Sequence, residues 1–363
     1  MMNILILPHN MASMPSLTAE ALNNIDGINA KCITGSLSKY QSLGPDTIYL
    51  QISDSKRAPF KWLWNKITFK KSKLFKLLEW ADVLHYHWDS AFSDSRDLKW
   101  AAKSGKPIFI EWVGSEIRIP EICKRANPYY CKAFDNGYEY KSFESEKTSI
   151  KNQRKFQKVN AIPLIIPEMN LYVQKKMFPL SYPSQLRINL KEFKTAFPDE
   201  TNNRPLIIHS PSAKIAKGSN FIIPVMEELK KEYDFKFLLL HDMNREEVLS
   251  IMQKADIFID QIILGSYGMA AMEAMAFGKP VMCYIMPQVF EGGLSEECPI
   301  VNTNPDNLKE QLIKLITNPQ LRHNIGIKSR AFAEKFHDVN KISGQLLAIY
   351  KIELEKMHNA EIS

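Results

Sequence analysis

The stretch Gly265-Ser-Tyr-Gly-Met-Ala-Ala-Met-Glu273-Ala-Met-Ala-Phe-Gly278-Lys-Pro280-Val constrains this chain more than any other. The apolar run at 256–264 has the length of a buried strand, and another apolar run follows at 281–285. Between them, small and apolar residues form a helix starting near Tyr267, entered through a glycine turn and stopped at Gly278. A helix that opens at the end of a parallel strand is an anion site, because its free N–H groups and its dipole both favour negative charge. Glu273 falls about a turn and a half into that helix, within reach of a polar group attached to the anion. A diphosphate with a ribose beside it has this shape. The plainer reading is a helix that only packs its alanines and methionines against a sheet; the agreement of several independent features favours the anion site.

The same alternation runs through most of the 363 residues, a length that suggests two ordinary domains. Expected strands of the first half are 3–8, 30–34, 47–52, 82–87, 107–112 and 161–166, with helical patterns near 16–22, 94–104 and 138–158. The second half has strands at 206–210, 235–241, 256–262, 280–285 and 299–301, with helices 219–232 and 245–254 between them. Asn304-Pro305 starts another helix, with proline in the first turn where its missing N–H costs nothing. The last helices, 320–336 and 341–357, have no strand after them. Such alternation implies an α/β protein with parallel, doubly wound sheets. The break falls near 181–204, rich in proline, asparagine and charge. Two Rossmann-like domains facing each other would set their strand ends across one cleft, where ligands of open α/β sheets bind.

Composition narrows the class. Hydrophobic content of 45% and charged content of 24% are those of a globular chain. No run of about 18 apolar residues occurs, so no spanning helix is expected. The start, Met1-Met-Asn-Ile-Leu-Ile-Leu-Pro8, reads as a first buried strand and not as a signal peptide, and a cytoplasmic location is expected. Five scattered cysteines without a Cys-x-x-Cys pair argue against structural zinc and a disulfide framework. A formal charge of +7 suits an anionic substrate or surface without choosing between them.

Gly268-Met-Ala-Ala-Met-Glu-Ala-Met-Ala-Phe-Gly-Lys-Pro-Val281 resembles the donor-site signature of GT-B-fold glycosyltransferases, above all the retaining family 4 enzymes of bacterial polysaccharide and lipid-glycan synthesis. The resemblance implies a GT-B fold with an acceptor-binding domain at 1–185, a nucleotide-sugar-binding domain at 200–339, and a terminal helix at 340–363 packing back on the first. It also implies that Glu273 holds the ribose and that Gly268, Met269 and Ala270 meet the phosphate or sugar. The family's first glutamate, which contacts the transferred sugar, falls at Gly265 in this chain, and Asp260 and Ser266 are the neighbours placed to compensate. The strand-and-turn Leu206-Ile-Ile-His209-Ser-Pro-Ser212-Ala-Lys214-Ile-Ala-Lys217-Gly218 carries two lysines where the family clamps the donor diphosphate; Ser212 stands where arginine is commonest. Two solvated turn lysines are the plain alternative. Arg187-Ile-Asn-Leu-Lys-Glu-Phe193 is similar to the segment that precedes the family's second domain.

Asp82-Val-Leu-His85-Tyr-His87-Trp-Asp89 places His85, His87 and Asp89 on one face of a strand. In the resembled family this strand faces acceptor and transferred sugar, with His87 and Asp89 nearest the cleft and His85 structural. His-x-His-x-Asp also opens a binuclear metallohydrolase site, so a metal-dependent hydrolase is an alternative. Glu111-Trp-Val-Gly114-Ser115-Glu116-Ile-Arg118 is similar to the family's His-Gly-Ser-Asp-x-Arg strand end, with Val113 in place of the histidine. It makes Ser115 and Arg118 acceptor contacts, unless Glu116 and Arg118 form a local salt bridge. Ser13 or Ser16 is expected to cap the first helix.

Residues 56–76 hold eight basic side chains and no acid, with aromatics at helical spacing. They suit either an anionic inner-membrane surface or an ordinary helix with buried aromatics; nucleic acid is not expected. The resulting expectation is a metal- and cofactor-independent glycosyltransferase moving a sugar from a UDP- or GDP-sugar to a glycan or lipid-linked acceptor. If it inverts configuration, His87, Asp89 and Glu116 are the candidate bases. A non-catalytic nucleotide-sugar binder or an epimerase on the same fold would also fit these residues.

Overall fold

A computed structural model describes residues 1–36, 43–50 and 68–362. The basic stretch at 56–67 and the end of the strand expected at 47–52 lie outside these described residues.

Seven parallel strands make the first sheet: β1 (Met2–Pro8), β2 (Ile28–Thr34), β3 (Thr47–Tyr49), β4 (Val83–His87), β5 (Ile108–Trp112), β6 (Ile162–Ile165) and β7 (Tyr182–Pro183), in the order β3-β2-β1-β4-β5-β6-β7. The second sheet contains β8 (Leu206–His209), β9 (Lys236–Leu239), β10 (Ile257–Ile259), β11 (Val281–Cys283) and β12 (Val301–Asn302), in the order β12-β11-β10-β8-β9. Every named strand pair is parallel, so both sheets are doubly wound as the alternation predicts. In β1, Leu5 and Leu7 enter one core while Ile4 and Ile6 enter another, because successive side chains leave opposite faces of a strand.

On one face of the first sheet lie α1 (Met14–Asn23) and the last helix, Val339–Ile362, which pack on each other. Tyr350 of that last helix reaches back into the sheet, stacking on Phe109 and bonding His85 Nδ1 at 2.7 Å. The other face is covered by α2 (Lys73–Trp80), α3 (Arg96–Ala101) and α4 (Glu146–Gln157). Phe69, Leu74, Phe75 and Leu78 are buried there, and Lys70, Lys71, Lys73 and Lys76 face solvent. No helix among the described residues is long and apolar enough to cross a membrane.

Several local readings change. The helix expected at 138–158 begins only at Glu146, where the Ser145 side chain accepts from Thr148 N–H. Gly137 at φ +91° and the turns after it precede that cap. Two helices escaped the sequence, Pro120–Ala126 and Pro128–Asp135, because they are short and lack a clear apolar period. At the start of α1, the carboxamide oxygen of Asn10 accepts from Ser16 N–H at 3.0 Å, a cap supplied from six residues upstream.

The chain crosses between the sheets twice, and the crossings are paired. Ile188 N–H donates to His337 C=O at 2.9 Å, and Val339 N–H donates to Ile188 C=O at 3.0 Å. Next to them Arg187, fully buried, grips Glu111 with two hydrogen bonds of 2.8 and 2.9 Å and donates to Thr18 Oγ1 at 2.6 Å. Ser184 Oγ adds a third bond, 2.7 Å, to the same carboxylate. Burial would raise the Glu111 pKa, but the Arg187 guanidinium brings it down to about 2. Removing one partner of such a pair strands a buried charge, so Arg187→Met is expected to cost about 3–5 kcal/mol in urea unfolding.

Four buried histidines make stability pH-dependent. Burial pulls His85, His209 and His337 down to about 4 and His87 to about 3. Their folded pKa values lie below the unfolded value near 6.5. Between those limits the unfolded chain binds more protons, so stability rises with pH and is lost on acidification. The urea midpoint is expected to drop from about pH 6.5 towards 4, the four histidines outweighing the buried carboxyls of Glu116 and Asp97, which burial raises to about 7 and about 6 and which oppose the drop; a flat profile would contradict this balance.

Candidate functional site at the carboxyl ends of the strands

The second sheet ends in a loop held by one carboxylate. Asp260 directly follows β10 and is 1% exposed. Its Oδ1 accepts from Lys217 Nζ at 2.7 Å, and its Oδ2 accepts from Gly268 N–H at 3.3 Å. Lys217 closes the short helix Lys214–Lys217, and Gly268 is the N-cap of the helix Met269–Ala276. Asp260 therefore joins the lysine turn to the open end of the glycine-entered helix. Burial would lower the Lys217 pKa, yet the Asp260 charge raises it, so the ammonium is retained. Gly218, at φ +84°, lets the turn pass Ile262, whose Cγ1 would lie 2.5 Å from any added Cβ. The helix starts two residues later than expected, because the backbone of Gly268 is still extended. Its first N–H groups have no intrahelical acceptor.

Glu273 sits on the next turn, 8% exposed, with Oε1 held by Arg245 Nη2 at 2.8 Å and Nε at 2.9 Å. Burial raises its pKa and Arg245 opposes the rise. Lys217, Arg245, Met269, Ala270 and Glu273 share the wall of a cavity of about 370 Å³ with Ser210–Ser212, the 240–243 loop, and Ala12 and Ser13 of the first domain. A second cavity, about 300 Å³, adjoins it at Ala12 and Met269. Gly268 lines this second cavity from one side, and Trp88, Ser115 and Arg118 line it from the other.

The expected residues thus part company. Lys217, Gly268, Met269, Ala270, Glu273, Ser115 and Arg118 come together around the cleft. Lys214 is exposed and on neither wall; the N–H groups of Ile215 and Ala216 beside it donate to Glu139 at 2.8 and 2.9 Å. Arg118 reaches the wall already paired, to Glu168 at 2.6 Å and Glu144 at 2.7 Å.

His87, Asp89 and Glu116 line neither cavity. His87 is wholly buried beside Glu111, and Asp89 is bound to Lys155 at 2.5 Å. Glu116 turns under its own loop to accept from Val113 and Gly114 N–H, and burial pushes it up to about 7. The histidines do not converge with Asp89: His85 is bonded to Tyr350, and Asp89 is held by the lysine. Among the described residues no group of three His, Cys, Asp or Glu side chains is disposed to hold a metal ion.

Arg245 was missed. It opens the helix Arg245–Lys254 next to the capping residue Asn244, and nothing local in the sequence pairs it with Glu273. Gly265 adopts φ +89°, and a Cβ there would lie 2.4 Å from Met286 Cγ. The thioether fills the space against the backbone, so a glutamate at this position would be strained as well as blocked. Gly265→Ala is expected to destabilise the protein by about 1–3 kcal/mol, measured by denaturant unfolding.

Residues 227–332 match the family model of glycosyl transferases group 1. An uncharacterized glycosyltransferase of Methanocaldococcus jannaschii is 32% identical over 105 residues, a stretch covering 27% of this chain and 28% of that relative. Sucrose-phosphate synthase from Thermosynechococcus elongatus superposes with a TM-score of 0.64 at 13% identity, covering 98% of this chain and 100% of that one. A glycosyltransferase from Rickettsia africae gives 0.63 at 15%, covering 98% and 99%. HepE of Anabaena in complex with UDP gives 0.56 at 14%, covering 97% and 100%. At these identities the superpositions speak for the fold: the chain has the GT-B architecture of two parallel-sheet domains.

Proposed function

We propose that the protein is a glycosyltransferase that binds a nucleotide-diphosphate sugar in the cleft and transfers the sugar to an acceptor lying against the first domain. One observation carries this reading: Lys217, the free end of the helix Met269–Ala276 and Glu273 face one cavity, with Asp260 fixing the first two to each other. The ammonium and the helix amides suit a diphosphate, and the carboxylate four residues into the helix suits a ribose diol. The matching family model and the UDP held by the Anabaena neighbour agree with it.

As the glycosidic bond breaks, negative charge grows on the departing nucleoside diphosphate. Donors already in place when that happens lower the barrier without reorganising. Lys217 and the amides after Gly268 are in place before any ligand arrives. The acceptor hydroxyl must also lose its proton. The three expected bases, His87, Asp89 and Glu116, lie off the cavity walls, and His87 is held neutral by burial. This favours a retaining course in which the leaving phosphate oxygen takes the acceptor proton. The charge supplied by lysine and amides makes a metal-independent reaction the reading to test. The acceptor is a glycan or lipid-linked glycan of surface polysaccharide synthesis, and Lys70, Lys71, Lys73 and Lys76 offer an anionic membrane a basic edge.

A thermal-shift series with UDP-, GDP- and ADP-sugars tests the donor site directly, because a ligand of the folded state raises the melting temperature. At least one nucleotide series should raise it; no response to any of them would remove the reading. With a donor and acceptor in hand, Lys217→Ala is expected to lower kcat by about 10²–10³-fold, and turnover should survive EDTA. Near-normal transfer by the variant would take the lysine out of the diphosphate site.

A further inference from the structure

The cavity on the Gly268 side lies where a sugar attached to a phosphate at the helix end would project, and its lining restricts which sugar fits. Its charged side chains among the described residues are Arg118, whose guanidinium is engaged by two carboxylates, and Glu168, which is engaged through Oε1. Arg118 bonds Glu168 through Nη2 at 2.6 Å and Nε at 3.2 Å, and its Nη1 bonds Glu144 at 2.7 Å. The amide of Gln261 donates to Ser266 C=O, and the hydroxyl of Tyr267 is bonded to His337 at 3.0 Å. The rest of the wall is mostly apolar, with Met14, Leu186, Leu264, Met269, Val289 and Leu294 beside the polar side chains of Ser115, Tyr140 and Gln185. At Gly265 the backbone leaves no room for a carboxylate, since Met286 is packed against it.

We propose that this cavity takes a transferred sugar that carries no carboxylate and bears a methyl-containing substituent, an acetamido group or a deoxy-sugar methyl. The inference rests on the donor-site reading above. A uronic acid would bring a carboxylate to a wall whose one cation is already paired twice. That charge would be desolvated without a partner. A hydroxyl set against Leu264 or Val289 gives up water and gains no acceptor, whereas a methyl group there is removed from water at no such cost.

Calorimetric titration of the full chain, without acceptor, separates the two readings. The probes are UDP, GDP and ADP alone, then UDP-glucose against UDP-N-acetylglucosamine and UDP-glucuronate, GDP-mannose against its 6-deoxy counterpart, and ADP-glucose against ADP-N-acetylglucosamine. For the nucleotide that binds, the methyl-bearing donor should bind about 10- to 200-fold tighter than its parent, the range one apolar group is worth in such a pocket. The glucuronate should bind weakest. Leu186→Gln, which puts an amide on the wall, should shrink the ratio. Equal affinities, tighter binding of the parent sugar, or preference for the glucuronate, with the nucleotide itself still bound, would overturn the sugar assignment and leave the donor site standing. Failure of all three free nucleotides and all their sugars to bind would sink the donor site and this assignment with it.

Discussion

Asp260 is the carboxylate on which the proposed site depends. It stands at the end of β10, buried, and holds an ammonium from one loop and a backbone N–H from another. Each contact alone is ordinary; together they set the position of Lys217 relative to the end of the helix Met269–Ala276. Arg245 and Glu273 repeat the device one turn further on. In both pairs a cation facing the cavity is held by a carboxylate before any ligand is present. The arrangement orients the cations without leaving them unpartnered, which is how preorganised charge differs from charge that must be gathered at the moment of reaction.

The frame around this site is tied at the crossovers. Arg187 locks the first crossover to Glu111 of β5 and to Thr18 of α1, and the backbones of the two crossovers pair with each other at Ile188. His337 extends the tie into the cleft. Its Nδ1 is 2.7 Å from Leu186 C=O, an oxygen that only accepts, so Nδ1 carries the proton and Nε2 accepts from the Tyr267 hydroxyl. Burial holds His337 at about 4, which keeps it in this neutral form near pH 7. A crossover between domains is therefore bonded to the residue just before the helix N-cap.

Much of this was legible in the residues. Strand runs bounded by turn signals located most of both sheets, because parallel strands buried on both faces are written as continuous apolar runs. The glycine-entered helix and its glutamate were readable from Gly268 to Gly278. The same logic misplaced what depends on partners far along the chain. Lys214 and Lys217 look equivalent in sequence, three residues apart on one turn, yet one meets Asp260 and the other meets solvent. Glu116 and Arg118 have the residue types of a binding loop, but folding turns the first under its own backbone and gives the second two acids. His87 alternates with His85 on a strand, and its environment was set by Glu111 and Arg187 from a neighbouring strand and the crossover.

The amino-acid sequence by itself determined the alternation of strand and helix, the parallel sheets that alternation requires, and the anion-favouring helix end with its glutamate. These are local properties of periodicity, turn chemistry and backbone polarity, and they need only a few consecutive residues. Tertiary structure alone decided which charges remain available. Asp260 reaches across 43 residues to Lys217, Glu273 across 28 to Arg245, and Arg187 across 76 to Glu111. A buried charge takes whichever opposite charge or hydrogen-bond donor the fold brings within about 3 Å, and that neighbour is a fact of packing which no stretch of sequence contains.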